Sequence, residues 1–146
     1  MKLIEWFLVW CDARRARLRR RAWGPARALG REGEDLAHRY LQQRGYYVVA
    51  RNYRISGGGE LDLVASQGGL LVFVEVKSRS SEAYGAPERN IDRGKQWRMI
   101  GAARHYLRRS GHDPGHTRFD TIGVIFNGPE PEIHHEEGVF FLPDAI

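Results

Sequence analysis

The most informative stretch of the chain is residues 60–79, ELDLVASQGGLLVFVEVKSR. Two apolar runs, rich in leucine and valine, are separated here by a pair of glycines, which is typical of a β-hairpin with a tight turn. Counting outward from the glycines places Asp62 opposite Glu75, and directly paired side chains lie roughly 5 Å apart at Cβ. The stretch therefore predicts two neighbouring carboxylates within an apolar hairpin.

Two carboxylates among apolar neighbours repel each other and are costly unless their charge is compensated. A divalent cation compensates it, since Mg²⁺ and Mn²⁺ prefer oxygen ligands and leave positions for water and phosphate. Lys77 shares a strand face with Glu75, where an ammonium group offsets charge developing on a phosphate. The pattern favours phosphodiester hydrolysis, with Asp62 and Glu75 as ligands of Mg²⁺ or Mn²⁺ and Lys77 as a catalytic residue. The alternative interpretation is a solvated strand edge with ordinary surface charges.

The segments around the hairpin predict one mixed α/β domain. Upstream, apolar residues at helical spacing end at Gly45 and an aromatic, β-branched run follows. The expected elements are, in order, a helix over 32–44, a strand over 46–56, the two hairpin strands, a helix over 91–111, a strand over 117–128 and a short edge strand from 134. The order α-β-β-β-α-β predicts a mixed sheet flanked by helices, an α/β fold of α+β-like arrangement.

The positive charge of the chain is concentrated at its start. The net charge is +5, yet residues 1–31 hold nine Lys and Arg against two acidic residues. We expect a basic, aromatic arm over residues 1–28 and a single domain over residues 29–146. Such an arm suits nucleic-acid phosphates, or an anionic membrane surface contacted through residues 1–23. A partly ordered, solvated extension is the third interpretation.

Composition excludes several classes of protein. The chain has 146 residues, of which 42% are hydrophobic and 28% charged, as in an ordinary globular domain with its own core. Cys11 is the single cysteine, so no intramolecular disulfide forms and a reducing cytoplasm is the expected compartment. No stretch approaches the roughly 20 apolar residues of a membrane-spanning helix.

Residues 29–126 resemble the YraN-like uncharacterised protein family, through the segments LGREGEDLAHRYLQQRGYYVVARNYR, GGGELDLVA, LLVFVEVKSR, YGAPE, IDRGKQWRMIGAARHYL and RFDTIGV. That family is similar to archaeal Holliday-junction resolvases and belongs with the PD-(D/E)xK, restriction-endonuclease-like fold. The resemblance implies a metal-dependent endonuclease acting on DNA. It implies that Asp62 is the first metal-binding acid, that Glu75 and Lys77 form the E-x-K pair, and that Glu34 is the acid of the first helix.

Basic and polar residues near the expected site are candidates for contacting nucleic acid, with DNA favoured over RNA. They are Arg51, Arg54, Arg79, Lys95, Gln96 and Arg98, of which Lys95 and Gln96 are implied by the resemblance. The arginines of the second helix either line the same groove or form a solvated face, and Tyr53, Tyr84 and Trp97 are candidates for stacking on bases. A homodimer is a further candidate assembly. A non-catalytic nucleic-acid-binding protein and a membrane-surface protein remain alternatives to the nuclease.

Two further groups of polar residues have structural interpretations. Asp120 interrupts an apolar strand, where we expect a hydrogen-bond acceptor that supports the fold in preference to a supporting acid. His134 and His135 are expected to be solvated loop side chains, because a zinc site needs convergent ligands that this sequence pattern does not provide.

Overall fold

A computed structural model describes residues 24–80 and 91–144, together with six isolated positions before residue 24. Its elements are α1 (Pro25–Gln43), β1 (Tyr47–Arg54), β2 (Glu60–Gln67), β3 (Leu70–Arg79), α2 (Arg93–Ser110), β4 (Thr117–Ile125) and β5 (Glu132–Phe140). The predicted element order is confirmed, and β5 is the expected edge strand. Apart from those six positions, the arm before residue 24 lies outside the described residues, as does Tyr84.

The five strands form one sheet in the order β1-β2-β3-β4-β5. Strands β3 and β4 are parallel, and the other neighbouring pairs are antiparallel. The parallel pair follows from α2, because parallel neighbours need a crossover that carries the chain back along one face of the sheet. The result is the mixed sheet with two helices that the sequence predicts.

The helices cover opposite faces of the sheet, since alternate side chains of each strand enter different cores. On one face, Phe73 of β3 and Phe119 of β4 pack with Met99 of α2. On the other face, Val72 of β3 packs with Leu41 of α1. No helix in the described part of the chain is both long and apolar enough to cross a membrane.

The β2–β3 hairpin closes in the predicted register. Leu63 and Val74 form the last pair of the ladder; beyond them the Val76 N–H bonds to Oδ2 of Asp62, and Asp62 lies close enough to Glu75 to interact with its charge. Both turn glycines have positive φ, +55° and +84°, as a two-residue hairpin turn of the mirror-image type requires. Both carboxylates therefore lie on the sheet face that α2 covers, at the end of the hairpin away from its turn.

Helix α1 begins at Pro25, earlier than the expected start at residue 32. Proline suits the first turn of a helix because its missing N–H needs no partner there and its φ already fits. The buried Ala28 extends the apolar side of the helix toward this start. Gly30 and Gly33 disfavour helix, so the sequence pattern placed the boundary too late.

The same helix packs closely on β3 at Gly33. A Cβ built on this residue would overlap Oγ of Ser78 and would lie 3.0 Å from its Cβ. The absence of a side chain is what allows the helix to approach the strand. This contact sets the position of α1, and of Glu34 next to Gly33, relative to the sheet.

Gly33→Ala is expected to lower the free energy of unfolding by about 1–3 kcal/mol, because overpacking forces the helix or Ser78 to shift. Gly30→Ala on the same helix is the matched control. A Cβ there meets nothing within 4 Å, and alanine favours helix over glycine by up to about 1 kcal/mol. Urea denaturation measures both variants. Equal stabilities for the two would contradict the close packing at Gly33.

Candidate active site

Asp62 and Glu75 lie in the interior of the sheet face that α2 covers. Their exposed fractions are 9% and 8%, unusually low for carboxylates. Leu61 and Leu63 flank Asp62 and are fully buried, as is Val74 beside Glu75. The apolar character of the two strands explains the burial, since neither strand can turn its acid to solvent without exposing its neighbours.

The Asp62 carboxylate is only partly compensated by its surroundings. Burial raises its pKa from 3.8 to about 8, and repulsion from Glu75 acts in the same direction. Its Oδ2 atom accepts a hydrogen bond of 2.8 Å from the Val76 backbone N–H, which offsets part of that cost. A buried acid with a raised pKa and a specific charged neighbour is a candidate functional group.

Lys95 of α2 is a cation in direct contact with this pair. Its Nζ lies 3.1 Å from Oε2 of Glu75. That oxygen is buried and has no hydrogen bond of good geometry from any described residue, so the contact is an ion pair with a poorly directed donor. Burial alone would lower the pKa of Lys95, but the Glu75 carboxylate outweighs this effect and raises that pKa. The sequence predicts Lys95 as a nucleic-acid contact and gives no indication of this ion pair.

A cleft of about 370 Å³ opens beside the ion pair. Its lining residues are Glu75, Lys77, Ser78, Arg79, Ile91, Asp92 and Lys95. Lys77 and Arg79 continue along β3 on the same face as Glu75, as the alternation of strand side chains predicts. The cleft therefore places three basic side chains around one buried carboxylate, a combination suited to an anionic substrate.

Glu34 approaches the site from α1 and does not line the cleft. Its Oε2 accepts hydrogen bonds from Arg31 at 3.1 Å and from Asn52 at 3.2 Å. Asn52 is the one non-glycine residue with positive φ among the described positions, 50°, a conformation that asparagine tolerates better than most residues. The Glu34 charge contributes to raising the pKa of Asp62, as the smallest of the contributing causes.

The other expected nucleic-acid contacts fall into two groups. Three have protein partners: Arg51 with Asp35 at 2.7 Å, Arg54 with Glu60 at 2.9 Å, and Gln96 with the Ile91 carbonyl at 2.8 Å. Of the other two, Arg79 lines the cleft and also has a contact within the protein, and Arg98 is exposed on α2. Of this set, Lys95 and Arg79 are the residues that the structure brings to the cleft.

Comparison with known proteins identifies the family. Residues 33–124 match the uncharacterised protein family UPF0102. The chain belongs to UPF0102. A UPF0102 protein of Solibacter usitatus is 50% identical over 125 residues, which cover 85% of this chain and 92% of the relative. A UPF0102 protein of Rhodococcus jostii is 45% identical over 114 residues, covering 77% and 96% of the two chains. The resemblance to the YraN-like family is thus confirmed.

This UPF0102 chain has a further buried carboxylate, Asp120, on the other face of the sheet, which the structure explains without a metal ion. Ligand atoms of Asp120, His135 and Glu137 all lie within 4.8 Å of one another. Both oxygens of Asp120, however, are already bonded to the Arg118 guanidinium at 2.7 and 2.8 Å. The Gly138 N–H and His135 Nε2 make further contacts at 3.0 and 2.8 Å. A cation would have to displace Arg118, so this cluster supports the fold, as the sequence predicts for Asp120.

The expectation that His135 is solvated is wrong. Its side chain is 6% exposed, and its ring packs edge-on against Tyr40 with centroids 5.5 Å apart. The alternation along β5 turns His135 inward and His134 outward. Burial alone would raise the pKa of Asp120, but hydrogen bonds from His135 and Arg118 outweigh this effect and hold the pKa below its usual value.

Proposed function

We propose that this UPF0102 protein is a metal-dependent nuclease that hydrolyses phosphodiester bonds in DNA. The observation that carries the proposal is the buried Glu75 at the wall of a cleft that also holds Lys77 and Lys95, with the buried Asp62 close enough to interact with Glu75. Burial and repulsion from Glu75 both oppose ionisation of Asp62, so keeping this charge in place destabilises the fold. Sites of this kind are retained where the charges act on a ligand.

The donor set fits Mg²⁺ or Mn²⁺. Carboxylate oxygens are the protein ligands these ions prefer, and they are often bound through only one or two carboxylates. Oε2 of Glu75 is buried, and its one described partner is Lys95 Nζ in the 3.1 Å ion pair, so a cation bound to this oxygen would share it with Lys95 or replace that contact. Asp62 and Glu75 would therefore hold the ion. When bound, it supplies Lewis-acid stabilisation of phosphate charge and lowers the pKa of an attacking water.

The remaining residues of the cleft act on the phosphate and on the two acids. Lys77 and Arg79 present cationic donors to the phosphate oxygens from the same strand face as Glu75. Lys95 contacts the Glu75 carboxylate in a 3.1 Å ion pair and so helps to hold it in position. The Val76 N–H orients the Asp62 carboxylate by its 2.8 Å hydrogen bond. Together these contacts hold two oxygen ligands in place and concentrate positive charge where the substrate binds.

Metal binding and cleavage, measured in parallel, test the proposal. Mn²⁺ is titrated by calorimetry into the wild type and Glu75→Gln, and both are incubated with single-stranded, duplex, flapped and four-way-junction DNA. We expect the wild type to bind Mn²⁺ and cut DNA, and Glu75→Gln to lose about 10²–10³-fold in rate. Glu132→Gln, on the exposed part of β5, is the matched control. Cleavage by Glu75→Gln at the wild-type rate would refute the assignment.

A non-catalytic nucleic-acid-binding protein is the second candidate, favoured by the ion pair itself. Lys95 compensates Glu75 within the protein at 3.1 Å, so the fold does not require a cation to balance that charge. For such a protein we expect DNA binding that persists in EDTA and falls with salt. Cleavage of none of the four DNA forms with Mg²⁺ or Mn²⁺ would then favour this candidate over the nuclease.

A further inference from the structure

Helix α2 carries a strongly basic solvent face. Its 18 residues include six Lys or Arg and no acidic residue. The arginines are Arg93, Arg98, Arg104, Arg108 and Arg109; Arg104 is partly buried and the others are exposed. None of them forms an ion pair with a carboxylate of the described residues. Among the described residues no acid balances this positive charge, so it is available to an anionic partner, except at Arg104, which donates a hydrogen bond to the Pro143 carbonyl at 3.3 Å.

An exposed tryptophan lies on this face. Trp97 has an exposed fraction of 62%, although a large aromatic side chain is usually buried. At 3.6 residues per turn, Arg93, Trp97, Arg104 and Arg108 project within about 60° of one another, over about 22 Å of helix. An indole lying in a row of guanidinium groups is the arrangement that binds a phosphate backbone and stacks on its bases.

The surroundings of Trp97 leave its ring open. Gly101, one turn further along, has no side chain to cover the indole. A Cβ at Gly101 would meet only Ile55 Cδ1, at 3.9 Å, so packing does not require glycine there. A glycine in a helix interior costs about 1 kcal/mol relative to alanine. A partner that must approach the indole closely accounts for that cost, whereas a solvated helix face does not.

We propose that the solvent face of α2 binds single-stranded DNA, with one base stacked on Trp97 and phosphates on the arginines. A single strand fits better than a duplex, because paired bases in a duplex do not offer their faces to an indole. The inference deepens the proposed nuclease function, on which it rests for the choice of DNA. Lys95 points into the cleft, and Trp97, two residues later, projects about 160° away from it around α2, so this surface is separate from the Asp62–Glu75 pair.

Fluorescence anisotropy with a labelled oligothymidylate of about 20 nucleotides, in EDTA, tests this surface. We expect Trp97→Ala to weaken binding about tenfold and Trp97→Phe to retain most of it, since a smaller ring still stacks. Gly101→Gln is expected to weaken binding as well, by covering the indole. Replacing Arg108 by Gln should lower the slope of log affinity against log salt by about 0.7. Arg44→Gln, an exposed arginine at the end of α1, is the matched charge control.

The outcomes separate this inference from the proposed function, because binding is measured without metal. Weakened binding by Trp97→Ala, with no cleavage by the wild type under any metal, supports the surface and refutes the nuclease. Cleavage by the wild type, with unchanged oligothymidylate binding by Trp97→Ala and Arg108→Gln, refutes the surface. Preference of the wild type for duplex DNA of equal length, or for phosphatidylserine vesicles, also refutes it. Circular dichroism confirms that each variant is folded.

Discussion

Asp62→Asn is expected to abolish Mn²⁺ binding and, at the same time, to stabilise the metal-free protein at neutral and alkaline pH. Asparagine has nearly the same shape and still offers an oxygen to the Val76 N–H, which donates a 2.8 Å hydrogen bond in the wild type. Asparagine lacks the negative charge of aspartate, which burial and the neighbouring Glu75 both disfavour at this position. Losing function while gaining stability is the signature of a strained functional group.

The pH dependence of this gain follows from the raised pKa. The pKa of Asp62 is about 8 in the folded protein against 3.8 for an unperturbed aspartate, so the folded state retains a proton that the unfolded state releases. The stability that this retained proton gives the folded protein is fully present below pH 3.8 and is lost as the pH rises to about 8. Urea midpoints in EDTA should therefore fall across this window for the wild type relative to Asp62→Asn. Parallel profiles for the two proteins would contradict the prediction.

Calorimetry completes this test. Below pH 8 the wild type must release a proton from Asp62 to bind a cation, so the observed heat should depend on the ionisation enthalpy of the buffer. At neutral pH we expect release of about one proton per ion bound. Asp113→Asn, a change at an exposed aspartate outside the cleft, is the control and should bind Mn²⁺ as the wild type does. Wild-type affinity in Asp62→Asn would remove Asp62 from the ligand set.

The sheet and the carboxylate pair were predictable because local features determine them. Two adjacent glycines permit one tight turn, and the turn sets the register of every pair in the hairpin. The observed pairing of Leu63 with Val74 follows directly from it. Alternation along the strands then decides which side chains share a face. Asp62, Glu75 and Lys77 thus reach one sheet face through contacts that are short-range in sequence.

Contacts between distant elements were not predictable in the same way. The ion pair of Lys95 with Glu75 depends on how α2 docks on β3, which no periodic pattern encodes. The buried position of His135 depends likewise on the pairing of β5 with β4. For His135 the sequence did contain a signal of burial, because the strand expected from residue 134 would turn alternate side chains inward. For Lys95, the acid-free composition of α2 indicated a basic face but not its partner.

Asp120→Asn is expected to lower the free energy of unfolding by about 3 kcal/mol, since it leaves the Arg118 charge without its buried partner. Asp120 is fully buried, and two of its hydrogen bonds come from the Arg118 guanidinium, at 2.7 and 2.8 Å. The pKa of Asp120 is lowered, so the stability it contributes is present above pH 3.8 and is lost at lower pH. Urea unfolding at neutral pH and at about pH 3 measures both effects.

The same variant separates Asp62 from Asp120 by function. Asp120 and Ile122 are two residues apart on β4 and therefore lie on the same face of the sheet. Ile122 faces the α1 core, so the sheet separates Asp120 from the cleft. Folded Asp120→Asn should therefore bind Mn²⁺ with wild-type affinity, whereas the more stable Asp62→Asn should not bind it. An ion bound at the cluster of Asp120, His135 and Glu137 would require the reverse result. Because the two substitutions are chemically identical and both sites are buried, only the location of the ligand site distinguishes the two outcomes.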